Sequence, residues 1–105
     1  MSRVPKPPAT YTEFVTQYPE LGSAWELIGK AGKKGPLDES TQRLVKLAVA
    51  IGAMREGAVH SSVRKARAQG ISREAVEQVV ALAVGTLGMP STVAVYTWVR
   101  EVAEE

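Results

Sequence analysis

The 105-residue chain contains no cysteine. Disulfides, thiolate nucleophiles and cysteine-based metal sites are therefore excluded. A domain this small without such staples must be held by packing, inside the chain or between subunits. Histidine is nearly as scarce: His60 is the only one. Aromatic residues make up just 6%, while Ala and Val recur throughout, which favours close helix packing over a wide β-sandwich. Charge of one sign is also lacking. Thirteen basic residues face eleven acidic ones, a net charge of +2, too small a bias for a nucleic-acid surface. No run reaches the ~20 apolar residues that a membrane span needs. Residues 1–10 lack the apolar stretch of a signal peptide. The expectation is a cytoplasmic protein with neither nucleic acid nor membrane as partner.

What is present is enough apolar material for a core, 45% of residues, in a length that suits one domain. Residues 1–9 are rich in proline and basic side chains and read as a flexible arm, leaving residues 10–105 as a single helical domain. Thr10 or Thr12 can cap a short helix ending near Tyr18, where Pro19 interrupts it. The next helix, about 20–31, places Leu21, Trp25 and Ile28 on one face, with Gly32 as its stop. Lys33-Lys34-Gly35-Pro36 is a loop. Asp38 is a good N-cap for a helix over 39–54 that is apolar almost all round and belongs at the centre.

Gly52 and Gly57 bracket a tight junction near Ala53–Glu56, where glycine permits a kink. A more amphipathic helix over 56–69 turns Val59, Val63 and Ala66 inward and Arg64, Lys65 and Arg67 outward. Gly70 stops it, and Ser72 caps a helix over 72–87. Gly88 and Pro90 open a last helix, about 90–104, carrying Val95, Trp98, Val99 and Val102. The valines argue locally for strands, but segment lengths, caps and glycine stops decide for helix. The fold expected is all-α, a compact domain of five to six helices. Two helices without a polar face cannot both be hidden in so short a chain, so a homo-oligomer is expected.

Glu56 and His60 stand at i and i+4, on one helix face. A carboxylate there fixes the imidazole tautomer and can make an acid/base pair, or two ligands of a metal. The plainer reading is a hydrogen-bonded pair lining a core or interface. One histidine, no cysteine and no His-Glu-x-x-His motif give no metal set, so neither a metal nor another cofactor is expected. Ser61 and Ser62 follow the histidine without a nucleophile elbow, and Gly29–Gly35 has no preceding strand to make a phosphate loop. Arg43, Arg55, Arg64, Lys65 and Arg67 form a solvated basic face or attract an anionic substrate. Trp25 and Trp98 read as core or interface anchors.

From Gly35 onward the chain resembles the carboxymuconolactone decarboxylase/alkylhydroperoxidase D-like family, over roughly residues 35–100. Leu37, Asp38, Thr41 and Leu44 match its entry to a small-residue-rich helix. Ala66 and Gly70 match the helix end, Ser72 and Glu74 the next start, and Gly88 with Pro90 the later turn. The resemblance implies an all-α fold that assembles as a homotrimer or homohexamer, with the site near subunit contacts. It also places the peroxidase branch's Cys-x-x-Cys on Arg55 and Ala58, its histidine on Ser62, and its acidic residue near Arg43. A thiol peroxidase is thus excluded, because the nucleophile must be a thiolate. Glu56-Gly57-Ala58-Val59-His60 remains, a stretch that resembles cysteine-free relatives, which often carry a second histidine where Ser62 stands. Two readings follow. One is a decarboxylase-like lyase in which His60 and Glu56 are catalytic and Arg55 holds a small anionic lactone or carboxylate. The other is an inactive oligomeric scaffold, natural or engineered, or a component of a larger designed assembly.

Overall fold

A computed structural model describes residues 9–103, so the expected arm, except for Ala9, lies outside the described residues. Among the described residues every regular element is helical: α1 (Ala9–Gln17), α2 (Pro19–Gly32), α3 (Glu39–Gly52), α4 (Glu56–Ala68), α5 (Arg73–Leu82), α6 (Val84–Leu87) and α7 (Met89–Ala103). By contacts they fall into two units that divide between Leu37 and Asp38.

The first unit is the pair α1–α2. Helix α1 already includes Ala9, ahead of both threonines expected to cap it. Pro19 occupies the first turn of α2, where its missing N–H costs no hydrogen bond. Gly22 lets the two helices approach: a Cβ there would lie 3.3 Å from Cβ of Val15. Phe14 and Tyr18 meet with ring centroids 5.3 Å apart. Neither helix has a buried residue, and Leu21, Trp25, Leu27 and Ile28 are all half-exposed or more.

The second unit holds the core. Asp38 caps α3 as the sequence requires, its carboxylate accepting from the Thr41 N–H at 2.8 Å. That backbone bond, with a further contribution from Thr41, holds the Asp38 carboxyl below its ordinary range. Ser72 caps α5 in the same way, with Oγ accepting from the Ala75 N–H at 3.1 Å. Ser72→Ala is expected to cost about 1 kcal/mol, read as a lower thermal midpoint.

The core is built from one stripe of each long helix: Leu47, Ala50 and Ile51 of α3; Val59, Val63 and Ala66 of α4; Val76 and Val80 of α5; Val95, Val99 and Val102 of α7. Ile71 in the α4–α5 turn closes it. The i, i+4, i+7 spacing of Val59, Val63 and Ala66, and of Val95, Val99 and Val102, is what one face of an α-helix provides. Each fully buried valine contributes roughly 1.5–3 kcal/mol relative to exposure. Trp98 packs against this cluster, as expected of an anchor.

Two details differ from the sequence reading. The helix expected over 72–87 breaks at Ala83, whose N–H bonds the carbonyl of Val80, three residues back, at 3.0 Å. This tighter turn needs neither glycine nor proline, so the sequence carries no sign of it. Helix α3, expected at the centre, is central on one side only: Val45 and Val49 remain 47% and 66% exposed.

Candidate functional site

The α3–α4 junction falls where the sequence puts it, but neither bracketing glycine makes the turn. Gly52 and Gly57 lie inside helices, and at this junction it is Met54 that takes a positive φ, of 54°. The Met54 N–H bonds the Ile51 carbonyl at 2.9 Å and the Arg55 N–H bonds the Ala50 carbonyl at 3.2 Å. This is the two-bond closure that usually has glycine at the left-handed position. The α4–α5 turn uses the same closure with Gly70 there, φ 84°. A Cβ at such a φ costs energy that glycine avoids, offset in part by glycine's looser unfolded chain. Met54→Gly is therefore expected to stabilise the fold by about 0.5 kcal/mol, measured as a higher midpoint in urea.

This turn fixes the first residues of α4. Arg55 is its N-cap residue but provides no side-chain cap, and Glu56 opens the first turn. Glu56 is exposed and His60 is partly buried on the same flank, beside the buried Val59 and Val63. Helix α7 packs on α4 with its C-terminal end beside the start of α4, which brings in Glu101. His60 Nε2 lies 3.2 Å from Glu101 Oε2; the histidine side chain is 20% exposed and the glutamate 53%. Ligand-type atoms of Glu56, His60 and Glu101 all fall within 4.8 Å of one another. His60 Nε2 is itself buried and has no hydrogen-bond partner among the described residues, despite its distance to the carboxylate. Ion-pair reach is met, while the direction a hydrogen bond needs is not.

Of the residues predicted for the site, Glu56 and His60 thus converge. Arg55 is exposed at the N-terminal end of α4, adjacent in sequence to Glu56. Glu101 was missed. Its own neighbourhood offers no signal beyond flanking the Val95–Val99–Val102 stripe, because proximity to His60 depends on how α7 crosses α4.

The positions that the resemblance assigns to peroxidase chemistry present different groups. Ser62 is buried, Ala58 is exposed, and Arg43 is partly buried with an Nε that has no hydrogen-bond partner among the described residues. Burial pushes the Arg43 guanidinium below its ordinary value. Burial, then the charges of Arg43 and Lys46, lower that of Lys65. A cationic group therefore stands where an acid was expected of the family. A groove of about 560 Å³ lies elsewhere, against α3 and α5, with Leu44, Val45, Ala48, Val79 and Leu82 among its lining residues. It presents Thr41, Gln78 and Thr86 as its polar side chains and no titratable one, so it offers no proton chemistry.

Comparison with known proteins gives one match. The model of the carboxymuconolactone decarboxylase family aligns with residues 19–101. The chain belongs to this family. The match takes in both units, from Pro19 of α2 to Glu101 of α7, and includes all three residues of the trio. No curated protein and no solved structure matches the chain. Among the described residues no helix is long and apolar enough to cross a membrane.

Proposed function

We propose that the protein is a carboxymuconolactone decarboxylase-like homo-oligomer whose proton-transfer centre is His60, flanked by Glu56 and Glu101. The observation that supports this most is the closeness of the one imidazole to two carboxylates from different helices, with its Nε2 kept from solvent. The substrate is a small anionic lactone or carboxylate. Its carboxylate docks at the start of α4, where Arg55 and N–H groups without a side-chain cap present positive charge. The bond to the departing CO2 breaks, its electron pair passes into the lactone carbonyl system, and His60 delivers a proton to the resulting enolate. Glu56 and Glu101 balance the charge of the protonated imidazole. Thiol peroxidase chemistry is absent, since the chain has no cysteine.

The assembly follows from surface that the second unit leaves uncovered. Val49 and Leu82 are 66% and 73% exposed, and they lie on α3 and α5, which also line the apolar groove. A homotrimer or homohexamer buries them. The same surface favours a second reading, an inactive scaffold that keeps the assembly without the chemistry. Incubation with a carboxylated γ-lactone separates the two. Release of CO2 by a chelator-treated oligomer supports the enzyme, and a stable oligomer without release supports the scaffold.

A further inference from the structure

We infer that Glu56, His60 and Glu101 bind one divalent transition-metal ion, of the Zn2+ class, per chain. The inference concerns the side chains of the proposed proton-transfer centre but does not require that chemistry. Its first support is the 3.2 Å between His60 Nε2 and Glu101 Oε2, with Nε2 buried and without a hydrogen-bond partner among the described residues. In a tetrahedral site with bonds of about 2.0–2.2 Å, neighbouring ligand atoms sit about 3.3–3.6 Å apart. The His60–Glu101 pair is already close to that spacing.

The second support is the ligand set. Glu56 and His60 are one helical turn apart on α4, a spacing that lets two side chains of one helix reach one ion. Glu101 comes from α7. With all three atoms within 4.8 Å of one another, small rotamer changes in exposed Glu56 and Glu101 close the site by about an ångström. One imidazole nitrogen and two carboxylate oxygens suit Zn2+, Fe2+ or Mn2+, and two negative charges neutralise the ion. Three protein ligands leave a fourth position open. An ion there takes the Nε2 lone pair, so metal and proton compete for His60.

The lone histidine makes the test clean, because no second imidazole and no thiol can supply background binding. Untagged full-length protein is titrated with ZnCl2 by calorimetry, and the single imidazole is followed by NMR. One Zn2+ per chain is expected, with a displaced His60 signal. Glu101→Gln, at an exposed position, is expected to weaken binding about 10- to 100-fold, and His60→Gln to remove it. Zinc uptake that is unchanged in both variants, or no histidine-dependent uptake by the wild type, overturns the inference. Turnover in EDTA keeps the two claims apart. Activity in EDTA without zinc binding removes the ion and leaves the proton-transfer reading. Zinc binding without activity does the reverse.

Discussion

Replacing His60 with alanine is expected to lower turnover about 10²- to 10⁴-fold while the assembly keeps its mass. The magnitude is that of removing a positioned acid/base group. His60 is the only imidazole in the chain, Ser61 and Ser62 follow it without a general base, and no cysteine is present. The flanking carboxylates refine the expectation. Glu101→Gln and Glu56→Gln keep size and remove charge, so each should lower turnover less than the histidine change and alter the pH–rate profile. A purely structural role would leave that profile unmoved. His60→Ala with wild-type turnover would sink the assignment. Loss of turnover together with loss of the oligomer would make the residue structural, which circular dichroism and light scattering decide.

The double variant Val49→Glu, Leu82→Glu is expected to convert the assembly to monomers. Both side chains are more than 60% exposed within the chain, so glutamate at either position leaves the core stripe of Leu47, Ala50, Ile51, Val76 and Val80 untouched. In an assembly the same carboxylates would be buried without partners, at a cost of several kcal/mol each. Two such changes per subunit, repeated by symmetry, exceed the surplus that holds a typical interface. Light scattering after gel filtration should show a trimer or hexamer for the wild type and a single chain for the variant, with unchanged helicity. A monomeric wild type refutes the interface, and an intact variant assembly moves it to another face.

Much of this could be read from residues alone. Asp38 and Ser72 announce their helices because an N-cap is a contact over three residues, within reach of any local pattern. Gly70 marks its turn because only glycine takes that φ without strain. The inward faces of α4 and α7 follow from the 3.6-residue period. The resemblance carried by Leu37, Asp38, Thr41, Ser72 and Glu74 agrees with the family match. The site was only half legible. Glu56 and His60 share a helix, and their spacing alone places them on one face.

The sequence by itself therefore determined the helical class, most helix ends, the core stripes of α4 and α7, the family, and the exclusion of thiol chemistry. Each rests on contacts within a few residues or on a residue type being absent. Tertiary structure alone decided three things. Met54, not a glycine, makes the turn before α4, because the closing bonds to Ile51 and Ala50 hold it in the left-handed region. The helix after Ser72 breaks at Ala83, where one N–H bonds three residues back instead of four. Glu101 joins His60, because packing valine stripes of α4 and α7 against each other sets which flanking residues meet. The period of a helix tells which side faces in. Only the crossing of two helices tells what lies beside that side's edge.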